Sequence, residues 1–141
     1  MKILVCIDGS LQSEKALNKA IELSTGCKIS EVSLIHVYES FQRTYSVEDL
    51  ERLQEMQTKV FEQRKQMMEE AAVQFKEHGI DVEMIIEEGH PSRTISKVAD
   101  DGNFDMVILG NRGLGGLKKI FLGSVSNAVI QETKASVLVV K

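Results

Sequence analysis

The sequence predicts an α/β fold: a parallel β-sheet covered by helices on both faces. Three observations predict it. Short runs rich in Val, Ile and Leu recur along the chain, segments with helical spacing separate them, and the runs read as apolar throughout rather than alternating with polar residues. Parallel neighbours need a crossover, and the right-handed sense of such crossovers makes the sheet doubly wound.

The first strand is Lys2 to Ile7, ending at Asp8-Gly9-Ser10. Ser10 or Ser13 is suited to cap the next helix, in which Ala16, Leu17, Ala20, Ile21 and Leu23 recur at helical spacing until Gly26 stops it. Ile29 to Tyr38 is the second strand. The longest segment, Val47 to His78, puts Leu50, Leu53, Met56, Val60, Met67, Ala71 and Phe75 on one helical face, and Gly79 ends it. Asp81 to Glu88 is the third strand, and Pro91, the sole proline, suits the first turn of a short helix. Phe104 to Leu109 is a fourth strand, a helix runs from Ser124 to Lys134, and Ser136 to Val140 is the last strand. Each strand is expected to be buried on both faces. No repeat, linker or low-complexity tract interrupts the 141 residues, so one domain, 1–141, is expected.

Composition narrows the function. At 43% hydrophobic and 27% charged residues the chain can build a core without disulfide or metal staples. A net charge of −4, no Trp and few aromatics (Phe 5, Tyr 2) argue against a nucleic-acid surface. No apolar stretch approaches the roughly 20 residues that cross a bilayer, and the N-terminal apolar block is too short for a signal peptide, so no membrane role and a cytoplasmic location are expected. Cys6 and Cys27 form no C-x-x-C and have no histidine pair beside them, which leaves neither a zinc site nor a redox dithiol; Cys6 reads as a small buried thiol.

The chemistry concentrates in one window. Five of the ten glycines (Gly110, Gly113, Gly115, Gly116 and Gly123) fall in the 14 residues from Gly110 to Gly123, together with Arg112, Lys118 and Lys119 and no acid. This window leaves the carboxyl end of a buried strand and enters a helix headed by Ser124, Val125 and Ser126. Glycines let backbone N–H groups approach an anion, and a helix N-terminus offers unpaired N–H groups and positive partial charge. It reads as a phosphate site; the plain alternative is a surface loop whose Ser124 merely caps a helix. The spacing fits neither common phosphate loop: Gly116 stands where a Walker lysine belongs, and Lys118 where the third glycine of G-x-G-x-x-G belongs. It does fit G-x2-G-x9-G-[ST], as Gly110, Gly113, Gly123 and Ser124.

That spacing, between FDMVILGNRG and GSVSNAVI, resembles the ATP-binding subgroup of the universal stress protein family. The similarity spans essentially the whole chain and includes ILVCIDGS, SLIHVYE, EEGHPSRTI and the closing VLVVK. The resemblance implies a three-layer α/β/α, Rossmann-like fold of the adenine nucleotide alpha hydrolase type, with a five-stranded parallel sheet of order 3-2-1-4-5. It implies ATP between the first and fourth strands, with Asp8 on the ribose side. The backbone of Val37 meets the adenine over a floor shared with Cys6 and Ile7. Gly110, Arg112, Gly113, Gly123, Ser124, Val125 and Ser126 hold ribose and phosphates, and a divalent ion, Mg or Mn, accompanies the triphosphate. It further implies a homodimer paired through the last strand and a signalling role toward an unknown protein partner. Asn111 and Ser136 depart from the residues many relatives carry there, serine and proline; neither change removes a phosphate donor.

No catalytic residue and no protein metal ligand are assigned. Arg112 and Lys118 can neutralise phosphate but cannot act as general bases at neutral pH. The competing expectations are a weak ATP hydrolase and a dimeric interaction protein with a vestigial pocket. His36 reads as a packed core residue, and His78 as serving a helix C-terminus. His90 either faces the cleft or sits in a solvated turn.

Overall fold

The computed structural model describes residues 1–26, 28–40, 47–112 and 122–141. Strand and helix alternate along it: β1 (Lys2–Cys6), α1 (Leu11–Gly26), β2 (Glu31–Tyr38), α2 (Val47–Glu77), β3 (Val82–Glu88), α3 (Pro91–Asp101), β4 (Met106–Gly110), α4 (Ser124–Glu132) and β5 (Ser136–Val140). The strands pair in parallel in the order β3-β2-β1-β4-β5. This is the expected sheet, and the element ends fall within two residues of those read from the sequence.

Two apolar layers hold it together. On one face Ile3, Val5 and Ile7 of the first strand region and Val32 and Leu34 of β2 pack against Ala16, Leu17, Ala20 and Ile21 of α1 and Met68, Ala71 and Phe75 of α2. On the other, Leu4, Ile35, Val107 and Leu109 meet Ile95 and Ala99 of α3 and Val129 of α4. Neighbouring residues of one strand therefore serve opposite layers, as the pleat requires. β1, β2 and β4 are buried on both faces because α1 and α2 cover one side of the sheet, α3 and α4 the other, and these three strands lie in its middle.

The edges correct one expectation. β3 is not buried on both faces: Glu83, Met84, Glu87 and Glu88 are exposed. It has a single strand neighbour, and the three glutamates along it are the kind of charge that discourages edge-to-edge pairing. β5, at the other edge, is half-buried over Val137–Val140.

α2 corrects a second. The apolar face read from Leu50 to Phe75 is continuous, but only its part from Met67 onward packs against the core; Leu50, Met56, Val60 and Phe61 are exposed. The reason is length. A helix of 31 residues runs about 46 Å at 1.5 Å per residue, whereas the 8 residues of β2 span about 26 Å. At its far end α2 stops at Gly79, whose φ of +73° allows the Ile80 N–H to return to the Phe75 carbonyl at 3.1 Å. His78 sits in this terminus with Nδ1 2.9 Å from the Gln74 carbonyl, the capping place expected for it. Among the described residues no helix is long and apolar enough to cross a membrane.

Candidate functional site

From β1 the chain crosses to β2 on one side, while β4 lies on the other side after the α3 crossover. The connections diverge there, so the carboxyl ends of β1 and β4 bound the crevice where open α/β sheets take their ligands. Three backbone segments meet at it: Asp8–Ser10 after β1, Asn111–Arg112 after β4, and the start of α4 at Gly123–Ser126.

The turn after β1 is fixed by its own side chains. The Ser10 N–H donates to Asp8 Oδ1 at 2.9 Å, the Ser13 N–H donates to Ser10 Oγ at 3.1 Å, and the Asp8 N–H donates to Ser13 Oγ at 3.1 Å. Ser10 is therefore the cap of α1, and Ser13 returns the bond to the approaching chain. Gly9 occupies the left-handed region at φ +79°, where a side chain would also press on Met67 Sδ at 3.0 Å. Asp8 Oδ1 anchors the residue in this turn, and Oδ2 is not one of the atoms that close it.

Strand ends supply the second wall. β1 pairs with β2 as far as Cys6↔Ile35, and the Ile7 N–H adds one bond to the Ile35 carbonyl at 2.8 Å. On β2 the Tyr38 carbonyl accepts from Gly89 on the β3 side. Backbone groups alternate along a strand, so the N–H and C=O of Val37 point to the β1 side, beyond the end of that strand. Cys6 and Val37 lie in the α3/α4 layer, whereas the Ile7 side chain enters the α1/α2 core. Of the three residues expected to form one floor, Cys6 and Val37 share a face and Ile7 contributes only backbone to it. Cys6 is half-buried rather than fully buried; burial, and then the Asp8 charge, push its thiol far up, so it stays protonated at neutral pH.

The third segment is closed on itself. The Gly123 N–H donates to the Asn111 carbonyl at 2.6 Å, which joins the two ends of the glycine-rich window. Ser126 Oγ lies 3.2 and 3.0 Å from the carbonyl oxygens of Asn111 and Gly123 and shares its single proton between them. Its hydroxyl thus staples the window shut, and what Ser126 offers outward is its backbone N–H. Gly123 is the N-cap of α4, with no side-chain cap, and the first helical bond runs from Asn127 to Gly123 at 3.0 Å. The N–H groups of Ser124, Val125 and Ser126 consequently have no intrahelical partner. The cap position belongs to Gly123 and not to Ser124, while the loop of the plain alternative lies outside the described residues. Arg112, half-buried, follows directly on Asn111. Gly113 lies outside the described residues, as do Gly115, Gly116, Lys118 and Lys119.

Neither Gly110 nor Gly123 has a positive φ. They are glycine for close approach: a Cβ on Gly110 would meet the Gln12 backbone, and one on Gly123 would stand 3.3 Å from Arg112 Cα and the Asn111 oxygen. Sequence reasoning missed Gln12. Its backbone and Cβ lie against Gly110, and its Oε1 is buried without a partner among the described residues. A polar residue in a first helical turn gives no signal of that. His90 is exposed at the N-cap of α3, with Nδ1 3.3 Å from Ser92 Oγ. Among the described residues no group of three His, Cys, Asp or Glu is placed to hold a metal ion.

Residues 1–141 match the universal stress protein family over their whole length. The chain belongs to that family. Universal stress protein YxiE of Bacillus subtilis is 33% identical to it over 146 residues, covering 99% of this chain and 98% of that one. Universal stress protein MJ0577 of Methanocaldococcus jannaschii is 34% identical over 155 residues, covering 99% and 94%. A solved structure of MJ0577 superposes with a TM-score of 0.84 at 35% identity, again over 99% and 94%. A universal stress protein from Archaeoglobus fulgidus, solved in complex with dAMP, shares the fold at a TM-score of 0.71 and 22% identity, covering 100% of this chain and 98% of that one.

Proposed function

We propose that this universal stress protein is a cytoplasmic, homodimeric module that binds ATP in the crevice between β1 and β4 and signals its nucleotide state to a partner protein. The observation that carries the reading is the uncapped start of α4, stapled to the end of β4 by Gly123 and Ser126. Three adjacent N–H groups without intrahelical partners, at the positive end of a helix, suit a phosphate chain. Gly123 leaves room for that approach, and Arg112 adds charge.

Asp8, with Oδ2 outside its turn, is assigned to the ribose side, and the Val37 backbone to the adenine. A family relative that carries dAMP supports an adenine nucleotide as the ligand class. Mg or Mn, where present, would rest on the phosphates. The homodimer is assigned to β5, an edge strand whose Val137–Val140 stretch is half-exposed.

Calorimetric titration with Mg-ATP of the wild type, Asp8→Ala and Asp8→Asn tests the site. Asparagine keeps an acceptor for the Ser10 N–H and removes the charge; alanine removes both. Wild type binds, and both variants weaken by about 1–3 kcal/mol for loss of a charge-assisted hydrogen bond. Unchanged affinity in both takes Asp8 out of the site.

A further inference from the structure

We infer that His36 is a positioning residue for the nucleotide site, holding with Ser13 the single peptide unit that carries Asp8. The inference rests on the nucleotide reading above. His36 is 9% exposed, and its Nδ1 lies 2.7 Å from the Ile7 carbonyl oxygen. A carbonyl only accepts, so Nδ1 carries the proton and Nε2 the lone pair. The same peptide unit, Ile7 C=O and Asp8 N–H, is gripped at its other end by Ser13 Oγ at 3.1 Å. A peptide plane clamped at both ends cannot rotate. Asp8 Cα follows directly from it, and Ser10 then fixes the carboxylate.

The ring also ends the sheet at the right place. β1 pairing stops at Cys6↔Ile35, and the next carbonyl, that of Ile7, turns to the imidazole. This keeps the Val37 backbone, one step further along β2, on the open side of the strand.

Packing alone does not explain a histidine here. Its Nε2 is buried and meets no partner among the described residues. A buried acceptor without a donor costs stability, and an aliphatic residue would fill the same strand position without that cost. Tyr38 stacks beside the ring at 6.5 Å between centroids, and Arg64 covers Tyr38 at 4.2 Å, so the imidazole is held in one orientation.

The test compares His36→Leu, His36→Asn and Ser13→Ala by calorimetry with Mg-ATP on protein checked for native circular dichroism. Leucine keeps bulk and removes the donor, whereas the asparagine amide returns a donor near the Nδ1 place. His36→Leu is expected to weaken ATP about tenfold or more, the equivalent of one hydrogen bond. His36→Asn should recover most of that loss, which a purely structural role for the ring would not allow. Ser13→Ala releases the other end of the same peptide unit and should weaken ATP as well, so the inference stays testable if the leucine variant does not fold. Wild-type affinity in folded His36→Leu or in Ser13→Ala, or asparagine no better than leucine, overturns it. A wild-type chain that binds no adenine nucleotide overturns the nucleotide reading itself, and this inference with it.

Discussion

Gly110 and Gln12 meet where the end of β4 passes the first turn of α1. A Cβ on Gly110 would stand 2.7 Å from the Gln12 carbonyl carbon and 2.8 Å from its Cβ and carbonyl oxygen. The obstacle is largely backbone, which cannot swing aside as a side chain would. Gly110→Ala therefore has to push α1 away from the sheet, and α1 carries the Asp8–Ser13 turn at its head. The expected loss is about 1–3 kcal/mol, typical of overpacking, read as a lower urea midpoint. ATP affinity should fall with it. Gly123→Ala, facing contacts of 3.3 Å, should be milder in stability. An unchanged midpoint in Gly110→Ala would contradict the packing described.

Ser126→Ala isolates the staple of the glycine-rich window. The Asn111 and Gly123 carbonyls keep their backbone donors, Gly123 and Asn127, so the fold should survive. The expected stability loss is about 0.5–1.5 kcal/mol, the worth of an ordinary hydrogen bond. Nucleotide affinity should drop in the same variant because the start of α4 keeps only its backbone tie to β4. Equal affinity would mean that the backbone bond from Gly123 alone closes the window.

The pH dependence of stability carries the mark of His36. Burial lowers its affinity for a proton below the ordinary value of 6.5; the Ile7 carbonyl opposes this, Arg64 adds to it and Asp8 opposes it. The unfolded chain then binds more protons than the folded one in the window just below pH 6.5, so stability rises with pH there. Its contribution is complete above 6.5 and is lost as pH falls toward the depressed folded value. Urea midpoints should decline as pH falls below 6.5, and His36→Asn should flatten that decline. An identical slope in the variant would assign the effect elsewhere.

Much of this was legible in the residues. The apolar runs of β1, β2 and β4 announce central strands because, in a sheet with helices on both sides, the middle strands are apolar on both faces. Of the glycine-rich window the described residues include only the two ends, and Gly110 and Gly123 stand beside the carboxyl end of β4, as their spacing led one to expect. What the residues do not carry is distance. The exposed half of α2 repeats the apolar spacing of the packed half, and only the length of the sheet decides where Leu50 and Met56 lose their support. Whether Glu83 and Glu87 face solvent depends on β3 being an edge. Gly110 reads as a flexible phosphate contact, yet its missing side chain answers to Gln12, a residue brought near only by the fold. His36 stands among apolar neighbours and gives no hint of the carbonyl it holds.

The proposed pairing through β5 predicts a mass. Sedimentation equilibrium at micromolar concentration should give twice the mass of the chain, independent of added nucleotide. A monomer under those conditions would contradict the β5 assignment while leaving the nucleotide site untouched.

The most direct measurement is of the ligand itself. Protein purified without added nucleotide is denatured, and the released small molecules are separated and identified by mass. If the crevice is an ATP site, denatured protein releases ATP, or, where purification has stripped it, the folded protein takes up Mg-ATP with one site per chain. Protein that releases no adenine nucleotide and also fails to bind Mg-ATP contradicts the central claim.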